Sequence, residues 1–206
     1  MALFQDPSSR WCLNAPMTYS VLLLVYVILQ FIAFFFVLVA TPIEMFRVGG
    51  PPGNTVCITL WGRKVSCTSL GYSYFVETIW RDCINRRNRF RAAQGCAFIS
   101  ILVYGGAFVA SFAILYGYSF IRWVCLALNV VGIVSVCIVW AAMAVSYKKK
   151  DGLCSAIKDD GTYGAGFVLF VIAWILDIIN TVILLLPCTV TESDEDKHTK
   201  QPAAEE

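Results

Sequence analysis

The sequence predicts an all-α membrane protein: a four-transmembrane-helix antiparallel bundle with a small β-sheet in its long first loop. Three observations lead there. Of the 206 residues, 58% are hydrophobic and only 15% charged, against roughly a quarter charged in a soluble domain. The charge is unevenly placed, since four long stretches hold almost none and Lys, Arg, Asp and Glu crowd between them. Such blocks select a bilayer as solvent. The longest inter-block segment carries a strand–turn–strand pattern between two cysteines. A net charge of +2, with no basic patch interleaved with aromatics, gives no case for nucleic acid as a partner.

The first apolar block covers about residues 18–40. About 23 residues at 1.5 Å each reach ~34 Å, enough to cross a ~30 Å hydrocarbon core. The block is too long for a signal-peptide core and no small-residue cleavage site follows it, so it reads as an uncleaved first span. Pro42 closes it, because the residue before a proline is pushed out of helical geometry.

In the long loop, 42–91, residues 56–61 are rich in β-branched and aromatic side chains, Gly62 is a turn former, and 64–70 can run back as a second strand. Placing Cys57 opposite Cys67 leaves Trp61-Gly62-Arg63 as a three-residue hairpin loop. Cross-strand Cβ atoms lie about 4.5–5.5 Å apart and a disulfide wants ~3.8 Å, so slight closing joins the pair. The plainer reading keeps both cysteines reduced on an amphipathic strand. The run 81–91 (RDCINRRNRFR) precedes span two, either as a solvated interfacial anchor or as a patch for anionic lipid or a polyanionic partner.

The second span, about 92–116, contains Gly106/Ala110 and Ala107/Ser111, small residues four apart that let helix backbones approach in lipid. A tight turn around Gly117 makes it an antiparallel hairpin with the third span, about 121–147, where Arg122 can snorkel to the headgroups. A short loop, 148–163, leads through the glycine-rich 161–166 into the fourth span, about 164–187, which ends at Pro187. Residues 1–187 therefore form one four-span membrane domain. The tail, 188–206, is acidic, lacks aromatics and is expected to be disordered.

Three polar residues interrupt the spans. Asp177 sits near the middle of span four, at a cost of roughly 3 kcal/mol on insertion scales, which makes it a functional candidate. The bland reading is a protonated or hydrogen-bonded aspartate that holds helices together. Asn180 lies one turn further on the same face. Asn129, at about the same depth in span three, is expected to hydrogen-bond Asn180. Taken together, Asn129, Asp177 and Asn180 also outline a polar path for a small channel or transporter.

No catalytic residue, metal or cofactor is expected. The single histidine, His198, is in the tail, and no nucleophile, paired-carboxylate or phosphate-cradling pattern occurs. The nine cysteines form no CxxC, so zinc-ligand spacing is missing. Cys96, Cys125 and Cys137 read as small buried hydrophobes. The pairing of Cys83 stays open, and Cys12 and Cys188 are equally free or acylated. No Asn-x-Ser/Thr sequon is present.

Cys57-Ile58-Thr59-Leu60-Trp61-Gly62-Arg63-Lys64-Val65-Ser66-Cys67 resembles the signature of the amastin family, surface proteins of trypanosomatid parasites. In that signature two cysteines enclose apolar, Thr or Ser, apolar, aromatic, Gly and basic or Gln positions. Ser66 departs mildly from the usual Asp, Glu, Asn or Thr. Thr41-Pro42-Ile43-Glu44-Met45-Phe46 is also similar to the family's segment after span one. The resemblance implies a claudin-like multi-pass protein of the plasma membrane with both termini cytoplasmic. It implies a Cys57–Cys67 disulfide in an extracellular sheet, although the Trp-Gly between the cysteines makes the match to claudins proper looser. It implies no catalytic activity, and roles in surface interaction or membrane integrity, with the lipid bilayer and other surface or host membrane proteins as partners.

Charge bias argues the other way on orientation. The long loop holds Arg47, Arg63, Lys64, Arg81, Arg86, Arg87, Arg89 and Arg91, and the short loop Lys148, Lys149, Lys150 and Lys158. The opposite side has Arg10, Arg122, Lys197 and Lys200. The positive-inside rule would put both loops in the cytoplasm. A disulfide persists only in an oxidising compartment, and the reading adopted places both loops outside.

Overall fold

The computed structural model describes residues 16–49, 55–69, 71–116, 119–152 and 154–186, with the side chains of 16–20 and 119 left aside. The acidic tail, the turn at Gly117, Arg10, Cys12, Cys188 and His198 lie outside the described residues.

Among the described residues four helices are long and apolar enough to cross a membrane: α1 (Pro16–Ala40), α3 (Ile84–Leu115), α4 (Ser119–Lys148) and α5 (Ala165–Leu185). Within hydrocarbon a helix satisfies every backbone group internally, so β-branched and aromatic residues are tolerated there despite modest propensity. Neighbouring pairs α1–α3, α3–α4, α4–α5 and α5–α1 all pack, closing the bundle into a ring. On α3 the buried face runs Arg86, Phe90, Ala93, Ala97, Ser100, Tyr104, Ala107, Ser111, a stripe at helical spacing. Of the two small-residue pairs expected to mediate packing, Ala107/Ser111 belongs to that stripe, while Gly106 faces outward.

Between the spans, β1 (Glu44–Gly49), β2 (Thr55–Thr59), β3 (Gly62–Lys64), β4 (Tyr74–Phe75) and β5 (Gly161–Tyr163) form one antiparallel sheet. Its order is β4-β3-β2-β1-β5. The short α2 (Val76–Ile79) follows β4. The sheet is thus not confined to the long loop, since β5 comes from the short one and pairs with β1. That pairing puts both loops at the same end of the bundle, and adjacent spans around the ring run antiparallel. Helix α3 also begins eight residues earlier than the expected start at 92, drawing most of the basic run into helix.

An aromatic layer joins sheet to bundle. Phe46 of β1 stacks with Tyr147 at 5.9 Å, Tyr147 meets Tyr163 at 4.0 Å, and Tyr163 stacks with Phe167 at 4.3 Å. Phe90 receives Phe46 and Trp80 from above.

Candidate functional site

Two parts of the molecule concentrate its unusual chemistry: the cap formed by the loops, and a polar cluster within the bundle.

In the cap, Cys57 and Cys67 are bonded at a Cα separation of 5.2 Å. The hairpin register differs from the one expected. Cys57 pairs with Lys64 and Ile58 with Arg63, so the turn falls at residues 59–62 and Cys67 returns to Cys57 after the end of β3. Thr59 is the reason. Its Oγ1 accepts hydrogen bonds from the Trp61 and Gly62 amides, each 3.1 Å, and donates to the Gly62 carbonyl at 3.0 Å. A threonine hydroxyl that closes its own turn outweighs a three-residue loop centred on glycine. Gly62 is required for a different purpose: a Cβ there would collide with the Tyr74 carbonyl of the neighbouring strand.

The remaining signature residues anchor this hairpin to the helices. Trp61 Nε1 donates to the Thr41 carbonyl at the end of α1 (3.1 Å), and its ring lies 5.1 Å from Phe98 of α3. Gln94 of α3 donates to the Leu60 carbonyl at 2.9 Å. Ile58 and Leu60 are buried, whereas Lys64 sits over the Tyr72 ring.

Cys83, left open by the sequence, is bonded to Cys154 of the short loop, with Cα atoms 6.4 Å apart. Arg86 lies one turn on and is buried, neither a solvated anchor nor part of a lipid-facing patch. Its Nη2 donates to the Ser155 carbonyl at 2.7 Å and to Lys149 at 3.3 Å, and its guanidinium stacks 4.6 Å from the Trp80 ring centre. Beside it Asn85 donates to Asp151 Oδ1 at 2.9 Å, and this bond holds the Asp151 carboxyl below its ordinary range. Arg91 pairs with Glu77, and its hydrogen bond and charge lower the Glu77 carboxyl likewise. Several basic residues that shaped the charge argument are therefore engaged within the cap.

The polar cluster draws on all four spans. Asp177 and Asn180 of α5, Asn129 of α4, Tyr104 of α3, and Tyr26 and Gln30 of α1 are each at most 1% exposed. Asp177 packs against Gly132 of α4 and Tyr104: a Cβ on Gly132 would lie 2.7 Å from Asp177 Oδ2 and 2.8 Å from Tyr104 Cε2. Asn180 does not bond Asn129 as expected. Its Nδ2 donates to Gln30 Oε1 of α1 at 2.9 Å, while Asn129 is beside Tyr26. Gln30, Tyr26 and Tyr104 were missed, though an amide inside an otherwise charge-free span was a readable signal. A second interhelical bond, Ser100 to Ser135 at 2.9 Å, joins α3 and α4. Among the described residues no three His, Cys, Asp or Glu side chains gather into a metal-binding group.

A family model described as "Amastin surface glycoprotein" matches residues 31–184, most of the chain. The chain belongs to the amastin family. It is a multi-pass membrane protein with two disulfides among the described residues. The matched region takes in the hairpin signature, the Cys83–Cys154 staple and the Tyr104, Asn129, Asp177 and Asn180 members of the polar cluster. The family is described as a glycoprotein family, and the sequence of this amastin contains no Asn-x-Ser/Thr sequon. No curated protein matches the chain.

Proposed function

We propose that this amastin is a non-catalytic protein of the plasma membrane, with its stapled cap outside the cell and both termini in the cytoplasm. The cap serves contact with other surface or host membrane proteins, or the integrity of the membrane that carries it. The observation that carries this reading is the pair of disulfides, one within the hairpin and one between the loops, since such bonds persist in oxidising compartments. Arg47, Arg86 and Arg91 are each tied to a partner within the cap, which weakens the charge argument for the opposite orientation. Lys148, Lys149 and Lys150 remain exposed and still count for it. A rigid, covalently braced surface suits recognition, because little ordering is needed on contact.

An epitope inserted at Gly71, where an added Cβ would meet nothing within 4 Å, tests the reading. Unpermeabilised cells should stain at Gly71, and at either terminus only after permeabilisation. Staining in the reverse pattern overturns it. A second reading, a small channel or transporter through Asp177, Asn180 and Asn129, is favoured by the burial of all three side chains inside the bundle. Normal surface delivery with lost ion flux in Asp177→Asn selects that alternative.

A further inference from the structure

The outer edge strand of the sheet, β4, carries exposed aromatic side chains outside the spans: Tyr74, and Phe75 at 64% exposure. Contacts along the bundle fix its height. Phe34 of α1 packs on Gly105 of α3, where an added Cβ would lie 3.2 Å from the ring. Thr41 and Phe98 each stand seven residues toward the cap from that contact, about 10 Å at 1.5 Å per residue. Both are therefore at one level, and two features mark it as the hydrocarbon boundary. The apolar stretch of α1 ends at Ala40, and α3 carries no charge beyond Arg91. Trp61 is held at this level by its bond to the Thr41 carbonyl and its contact with Phe98. Strand β2 descends to it along α3: Phe46, paired with Ile58, touches Phe90, whereas Trp61 touches Phe98. Strand β3 then climbs away. Gly62, next to Trp61, pairs with Phe75, and the Val76 amide donates to the Trp61 carbonyl at 3.1 Å. Phe75 is thereby fixed at the boundary.

We propose that β4 rests on the bilayer that the spans cross, with the Phe75 ring in the outermost acyl layer and Arg63 and Lys64 beside the lipid phosphates. The composition of this edge suits that place. The Tyr72 ring lies 6.1 Å from Phe75 and under the Lys64 ammonium, and exposed Arg63 pairs with Tyr74. Aromatic rings flanked by basic groups settle at the membrane–water interface. Residues 62–76 contain no carboxylate to repel phosphate, and neither Arg63 nor Lys64 forms an ion pair among the described residues. Two further observations favour lipid over a protein occupant. Through Trp61 the edge is continuous with the exposed Phe98, Ile99 and Leu102 of α3, a face already in lipid. A strand of two residues is also too short to template pairing with another chain. The surface does not depend on which side of the membrane the cap faces, so it stands or falls apart from the proposed function.

The test uses the purified full chain in nanodiscs of phosphatidylcholine and phosphatidylglycerol, with either Phe75 or Val65 replaced by the photoreactive p-benzoylphenylalanine. Val65 is 59% exposed, nearly as much as Phe75, but lies three residues beyond Gly62 on the climbing side, about 10 Å higher. Exposure within the protein thus predicts no difference, and the bilayer does. After irradiation, mass spectrometry should find a lipid adduct at position 75 and only background at position 65. Hydroxyl-radical footprinting of the wild-type chain in the same nanodiscs reads the surface without a substitution. Phe75 should be spared, although an exposed aromatic ring is readily attacked, and Val65 should be oxidised. No lipid adduct at position 75, crosslinked dimers of the chain in its place, or equal lipid adducts at both positions would overturn the surface. So would ready oxidation of Phe75 in the wild type.

Discussion

Cys83 and Cys154, 71 residues apart in sequence, are joined across the top of the bundle. The bond lies immediately before the first turn of α3 and reaches the short loop two residues from Ala156, which is fully buried. It ties the two loops covalently where β1 and β5 tie them by hydrogen bonds. The cap is one body because of both.

Removing this staple should matter more than removing the one in the hairpin. A longer closed loop constrains the unfolded chain more, and typical disulfides contribute ~2–4 kcal/mol. Cys83→Ser with Cys154→Ser should lower the unfolding midpoint and make the cap sensitive to protease at both loops. Cys57→Ser with Cys67→Ser, spanning ten residues, should expose only the segment around residues 66–73. Limited proteolysis with fragment mapping distinguishes the two patterns.

Arg86 should be intolerant of change in a way its neighbours are not. Its guanidinium serves two carbonyls and the face of Trp80 at once, and lysine lacks the planar fork that does so. Arg86→Lys should cost about 1.5–3 kcal/mol. Arg81→Ala, exposed, should stay within roughly 0.5 kcal/mol. Unfolding midpoints of the two variants in detergent check the contrast.

Thr59 and Gly62 make separable demands on the hairpin. Thr59→Ser keeps the hydroxyl and should be nearly neutral. Thr59→Val leaves two amides and a carbonyl without their partner and should cost about 1–3 kcal/mol. Gly62→Ala should part β3 from β4, because its methyl meets the Tyr74 carbonyl. Protease cleavage between residues 66 and 73 should rise in Gly62→Ala and Thr59→Val and not in Thr59→Ser.

The cap should loosen in acid. Asp151 and Glu77 both have folded pKa values below their ordinary ones, through Asn85 and Arg91 respectively. A depressed carboxyl contributes stability that is full above its unfolded value, about 4, and is lost as pH falls through the folded value. Cap proteolysis by an acid-active protease should therefore increase below about pH 4. The increase should be smaller in Asn85→Leu, which forgoes the Asp151 bond at every pH.

How much of this was legible in the sequence depends on the range of the interaction. The four spans were, because an apolar block of twenty or more residues needs no tertiary information to be read. The hairpin cysteines were too, being ten residues apart within a strand–turn–strand pattern, although the register was not. Thr59 decides the turn through its own side chain, a signal overlooked beside the more obvious Gly62. The partner of Cys83 was out of reach, since nothing local separates Cys154 from other candidates until β1 and β5 bring the loops together. In the bundle, Asp177 and Asn180 were recognised by depth alone. Their partners depend on how α1 is rotated about its axis, and that phase turns Gln30 toward Asn180 and leaves Asn129 beside Tyr26.

Thiol mapping on intact cells tests the central claim, an external cap closed by two disulfides, most directly. Cells expressing the full chain are treated with a membrane-impermeant maleimide, with and without prior exposure to an impermeant reductant, and labelled cysteines are located by peptide mapping. Cys57, Cys67, Cys83 and Cys154 should all be labelled, only after reduction and without permeabilisation. Labelling of these four cysteines without reductant, and only once the membrane is opened, would place a reduced cap in the cytoplasm and contradict the account.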